Sequence, residues 1–320
     1  MSLVVSLYSH LRRYSPSDWL RAVDTLGAEI HPVDRDATRI WFAFYPLELH
    51  LALERAADPA ATARDLRLMG RWRLADQINE SHRFLYGHRY WPPVKLAIEN
   101  IERQPEQLSE LITIVAEAAT RRARVDRDHL LGITAIGLMT LRQVGAELFA
   151  ATAAKIVLAP EVRAATPHQV ISRRAKDDWQ GVFGFTRGMM KRWTVTFDEN
   201  ERDTTFPVIN GQEIASAARE DHREYRSRDP RCIPGEGPIP VECRAGSCGT
   251  CWVGVLGGRE KLSPVSERDE AERLKVFGYS DTGEPQPLIR LACQAKAMGA
   301  VSVVIPPWNG MVGGIKPKAK

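Results

Sequence analysis

Long apolar runs are missing from this chain. Its best membrane candidate, Leu130 to Leu141, is twelve uncharged residues, short of the ~20 that a spanning helix needs. Arg142, Gln143, Glu147 and Lys155 interrupt its continuation, so a buried helix is the better account and no transmembrane segment is expected. The opening MSLVVSLYSHLRRYSPSDW has too short an apolar run for a signal peptide, and its charges follow that run. Cysteine is scarce, with five in 320 residues. A disulfide framework would leave one over and lacks a secretory signal, so a reducing interior such as a bacterial cytoplasm is expected. An excess of one charge is missing as well: 44 Lys and Arg stand against 40 Asp and Glu. Nucleotide-binding fingerprints are absent, which argues against a fused flavin or nicotinamide domain.

What is present describes an ordinary globular protein, 44% hydrophobic and 26% charged, long enough for two domains with separate cores. The informative stretch is Cys243-Arg244-Ala245-Gly246-Ser247-Cys248-Gly249-Thr250-Cys251, answered by Cys293 in Arg290-Leu291-Ala292-Cys293-Gln294-Ala295. Three cysteines at C-x4-C-x2-C with a distant fourth have the plant-type [2Fe–2S] spacing. A loop with that task must wrap closely round the cluster. Gly246 and Gly249 suit it, since backbone without a Cβ approaches sulfur and adopts positive φ. Its N–H groups then hydrogen-bond the sulfurs and lower the cost of negative charge, and Ser247 and Thr250 add small donors. Four thiolates also suit structural zinc, but such sites usually come as two C-x2-C pairs, and here the second pair is a lone cysteine.

From about Lys191 to Pro306 the chain resembles a plant-type, β-grasp ferredoxin domain: a strand pair, a short helix, the CRAGSCGTC loop, a strand, a helix, and the closing RLACQAKAMGAVSVVIP. The resemblance implies that Cys243, Cys248, Cys251 and Cys293 ligate a [2Fe–2S] cluster. It covers little more than a third of the chain. The interval between Cys251 and Cys293 is longer than the family's, and the excess falls in a charged helix and a Gly/Pro loop. Cys232 lies outside the ligand pattern and reads as a spare thiol.

The fold class expected is α+β: a mostly α-helical domain over 1–188, then a β-grasp ferredoxin domain over 189–320. In the first, Ser15-Pro16-Ser17-Asp18 reads as a helix start with Trp19, Leu20, Val23 and Leu26 on its apolar face and Gly27 as a stop. Ile40 to Tyr45 reads as a short β-prone run or the lead-in to a helix. Asp58-Pro59 opens a helix reaching through Leu66, Leu68, Trp72, Leu74 and Ile78. Gln104-Pro105-Glu106 opens another, and a long apolar helix runs from about His129 to Leu158 before Pro160. The aromatic, His- and Arg-bearing stretch Ser81 to Pro93 reads either as a docking surface or ligand site, or as a packed corner, which is preferred. The basic, aromatic segment Pro167 to Lys191, around Trp179, Phe183 and Phe185, reads as an interdomain connector, and no nucleic-acid partner is expected.

In the second domain Trp193 to Phe197 pairs with Thr205 to Ile209, Glu213 to about Glu224 forms the helix, and Trp252 to Leu256 resumes the sheet. Ser263 to about Phe277 is an inserted helix, Val301 to Ile305 the last strand, and GGIKPKAK a mobile tail. From Met189 onward, 19 basic residues meet 18 acidic ones. Ferredoxins that diffuse freely are usually markedly acidic, so this domain reads as a module wired to a fixed partner. The function expected is one-electron transfer between redox partner proteins, a reductase and an acceptor, with docking through the helical half. A cluster-based sensor, or an enzyme with an unrecognised site in the helical half, stays open.

Overall fold

The computed structural model describes residues 2–177, 191–265, 270–276 and 284–313. The chain divides into two compact units, Met1–Leu51 with Arg73–Ile171, and Ala52–Trp72 with Ser172–Lys320. The architecture is α+β, with helices mostly in the N-terminal part and the sheet in the C-terminal part. Among the described residues no helix is long and apolar enough to cross a membrane.

The first unit is built of helices. Ser15 and Asp18 form a reciprocal cap on the helix Pro16–Leu26, each side chain bonding the other's backbone N–H. Trp19, Ala22, Val23 and Leu26 are buried, whereas Leu20, expected beside them, is 46% exposed. A single step turns a helix by about 100°, which carries Leu20 off the face Trp19 holds. The β-prone run Ile40 to Phe44 is helical, within Pro32–Phe44. The helix Asp128–Val144 runs through the middle of this unit and is buried from Leu130 to Arg142. It approaches its neighbours closely: a Cβ on Gly132 would lie 2.3 Å from Thr38 Oγ1, and one on Gly137 2.6 Å from Ile98 Cδ1.

Two expected helices are shorter than their apolar pattern. The run from His129 to Leu158 breaks at Gly145, whose φ of +86° suits glycine alone, and resumes as Ala146–Ala151. The helix opened by Asp58 and Pro59 stops at Asp65, with Arg67 at φ +50°, instead of reaching Ile78. The stretch Ser81 to Pro93 is a packed corner. His82, His88 and Trp91 are 0%, 1% and 0% exposed, so they cannot anchor a docked protein. The histidine rings meet at 2.8 Å between Nδ1 atoms, and Trp91 packs against His82.

The second unit is built on strands β1 (Met69–Gly70), β2 (Arg192–Thr196), β3 (Thr205–Ile209), β4 (Gln212–Glu213), β5 (Trp252–Gly257), β6 (Ile289–Leu291), β7 (Lys296–Ala297), β8 (Val301–Val304) and β9 (Trp308–Asn309). The main sheet has the order β3-β2-β8-β5-β6. Its β2–β3 hairpin is antiparallel with Trp193 opposite Val208, β2 runs parallel to β8, and β5 runs antiparallel to β8 and β6. That connectivity fits the β-grasp expectation. Val195, Phe206, Val208, Trp252, Val253, Val255, Val301 and Val303 fill its core. The helix after the hairpin is Ile214–Ala218, shorter than expected, and its end is covered by Gly237, where a Cβ would fall 1.9 Å from Ala218 O.

Two segments from earlier in the chain belong to this unit. β1 pairs antiparallel with β9, and Arg71 N–H donates to Pro307 O at 2.8 Å. Arg174 holds Glu199 through three hydrogen bonds of 2.9–3.1 Å, and Asp177 accepts Ala300 N–H at 2.7 Å and pairs with Lys261. Trp179, Phe183 and Phe185 of the expected connector lie outside the described residues, as do 314–320 of the expected tail. The inserted helix is described as Glu270–Val276.

Candidate metal centre

The loop 243–251 leaves the sheet before β5, and its shape follows from three residues in the left-handed region. Arg244, Gly246 and Gly249 have φ of +54°, +71° and +71°. The two glycines adopt this without penalty, and they turn successive N–H groups inward. Ser247 N–H and Cys248 N–H both donate to Cys243 Sγ at 3.3 Å. Thr250 Oγ1 accepts Glu242 N–H at 3.0 Å and lies 3.1 Å from Cys248 Sγ, so its hydroxyl ties the loop's two ends together. A Cβ on Gly246 would stand 3.3 Å from the Gln294 side chain, which closes the loop against the turn that follows β6.

Cys293 comes from that turn. Ala292 N–H donates to Cys251 O at 2.9 Å, and Ala215 N–H to Ala292 O at 2.9 Å, so the turn is bonded to the loop and to the helix Ile214–Ala218. Upstream, Arg290 and Glu270 form a bidentate ion pair at 2.8 and 3.0 Å, 0% and 1% exposed. Glu270 also accepts Leu291 N–H at 3.0 Å, and Arg290 donates to Ser263 O at 2.8 Å. The ion pair therefore fastens the inserted helix to β6, two residues before Cys293. Nothing in the sequence distinguished this pair from other charges; its only signal was an arginine inside an apolar strand.

The thiols differ according to their surroundings. Burial opposes ionisation of Cys243, yet the donors from Ser247, Cys248 and Ala245 hold it at about 6. Cys251 donates to Cys293, which together with burial raises Cys251 well above the ordinary thiol value. Cys293, receiving that bond against the cost of burial and helped by Gln294 and Gly246 N–H, lies at about 7. Thiolate is the form that binds metal. Cys251 and Cys293 are thus in direct contact, Cys243 is close enough to act on Cys293 electrostatically, and Cys248 on Cys251. Among the described residues no three His, Cys, Asp or Glu side chains converge on one point. Cys232 stands apart: it is buried, and its thiol donates to Pro238 O at 3.3 Å.

Residues 235–298 match the family described as the 2Fe-2S iron-sulfur cluster binding domain. The C-terminal part of the chain is a [2Fe–2S] domain of the ferredoxin type. The match spans all four cysteines of the motif and covers about a fifth of the chain. No curated protein and no solved structure matches the chain. The residues present fit the cluster that this domain binds. They supply four soft donors, two of them already disposed to ionise, with backbone N–H groups directed at sulfur.

Proposed function

We propose that the chain is a one-electron carrier whose [2Fe–2S] cluster is held by Cys243, Cys248, Cys251 and Cys293. The observation that carries this reading is the pair of N–H groups on Cys243 Sγ together with Cys293 brought against Cys251 from a distant turn. The bound cluster supplies reversible one-electron chemistry, usually near roughly −400 mV for this ligand set. The protein's own part is to hold and screen it. The N–H donors of Ser247, Cys248 and Gly246 offset negative charge on sulfur. Cys251 and Cys293 are buried while Cys243 and Cys248 are half-buried, so electrons enter and leave on the side of the loop.

Its partners in this reading are redox proteins, a donor and an acceptor, in a cytoplasmic setting. The near-balance of charge in the domain, 19 basic against 18 acidic residues, favours contact at short range over long-range steering. Residues 189–320 are the electron-carrying domain, and the helical residues 1–188 meet the dedicated partner. With His82, His88 and Trp91 buried, docking falls to the remaining helical surface.

The test is anaerobic reconstitution followed by reduction with a ferredoxin reductase and oxidation by an artificial acceptor. Turnover through the cluster is expected in the parent and in Cys232→Ser. Turnover retained after removal of any of the four cysteines would refute the assignment.

A further inference from the structure

We propose that the helical unit binds a small aromatic monocarboxylate, in the cleft between Tyr86–Tyr90 and the C-terminal end of the helix Leu108–Ala123. This does not rest on the cluster. The cleft measures about 530 Å³ and is lined by Tyr86, Tyr90, Arg121, Arg124, Asp126 and His129, a size and mixture of aromatic and charged walls suited to a small molecule.

The aromatic wall is firmly built. Asp34, 1% exposed, accepts Tyr86 N–H at 2.7 Å and Gly87 N–H at 2.6 Å. This carboxylate fixes the turn that presents both tyrosines, whose rings lie 6.2 Å apart, edge to face. Arg89 lies 3.5 Å over the Tyr86 ring and donates to the carbonyls of Val162, Arg163 and Ala165 at 2.9–3.1 Å. Its charge is engaged in fastening the segment 162–165 beside the tyrosines and is not offered to a ligand.

The charged wall is different. Arg127 spends its guanidinium on Glu29 and Glu117, but the guanidiniums of Arg121 and Arg124 bond to none of the described residues. Arg124 caps the helix with φ +55°, the left-handed position that glycine normally fills. A strained, non-glycine residue whose side chain lines a cleft points to a role for that side chain. Among the charged side chains that line the cleft, the guanidiniums of Arg121 and Arg124 outnumber the one carboxylate, Asp126. That suits a monoanion. A carboxylate matches the guanidinium fork, and a flat ring matches tyrosine walls.

The probe is 2-naphthoate, titrated calorimetrically into the full-length protein. Saturable binding is expected, with Arg121→Ala and Arg124→Ala each weakening it about tenfold, the loss of one charge-assisted hydrogen bond. The neighbouring Arg122→Ala should bind as the parent does. Unchanged helical circular dichroism shows that each variant folds. Inorganic phosphate and the saturated analogue decahydro-2-naphthoate should each bind at least about tenfold more weakly. No saturable binding, undiminished binding by the Arg121→Ala/Arg124→Ala double variant, or either control binding as tightly as 2-naphthoate would overturn the proposal.

Discussion

Cys232 and Cys243 carry the same side chain in opposite surroundings. Burial pushes the Cys232 thiol up to about 12, whereas backbone donors hold Cys243 at about 6. Replacing Cys243, Cys248, Cys251 or Cys293 with Ser should therefore abolish the visible absorption of the reconstituted protein, and Cys232→Ser should leave it unchanged. Loss of the cluster in Cys232→Ser would contradict the ligand set. A second residue-scale prediction concerns His82 and His88. Burial lowers both, with His82 pushed further by His88, and His88, beside Arg83 and Arg89, reaching about 4. The unfolded chain takes up these protons near 6.5 and the folded chain does not, so stability is fully present above that pH and is lost as pH falls. The slope should be about 1.4 kcal/mol per pH unit for each histidine, and the His88 share should level off near pH 4. Urea midpoints followed by helical circular dichroism between pH 7 and 5 measure it. His88→Gln should flatten the dependence, and an unaltered slope would contradict it. The cysteines were legible because their chemistry lies in the spacing. The histidine pair was not, because nothing local says whether an aromatic stretch faces inward.

At the scale of elements, β6 does most to position the distant cysteine, and the Arg290–Glu270 pair holds β6. Glu270→Gln would leave a buried guanidinium uncompensated and should cost about 3–5 kcal/mol, read as a lower thermal midpoint. The double change Glu270→Leu with Arg290→Met should recover much of that loss, since no charge is left buried. Equal loss in both would contradict the account. The β2–β3 hairpin, β5 and β8 were legible from alternation. β6 was not, since three residues carry too little pattern. The helices that ended early, at Gly145 and before Arg67, show why apolar periodicity overruns. Both breaks come from backbone conformations, +86° and +50° in φ, while Phe149, Leu74 and Ile78 beyond them are still buried.

At the scale of the molecule, the sheet-bearing unit draws on chain that precedes it. A fragment of residues 189–320 lacks Arg174 and leaves Glu199, 14% exposed in its ion pair, without its partner. It should be less stable than a fragment of residues 172–320, which keeps the Arg174–Glu199 and Asp177–Lys261 pairs, as measured by urea unfolding; equal stability would show that these contacts contribute nothing. That α+β division was legible from composition and motif. The contribution of 52–72 to the sheet-bearing unit was not, because a two-residue strand pairing across the length of the chain leaves no sequence signature. The central claim is that this chain carries one electron on a [2Fe–2S] cluster. Metal and sulfide analysis of the full-length protein, combined with electron paramagnetic resonance before and after reduction, tests it most directly. The account predicts two irons and two sulfides per chain, no signal when oxidised, and a signal after uptake of one electron. A single zinc per chain, or iron that gives no signal on reduction, would contradict it.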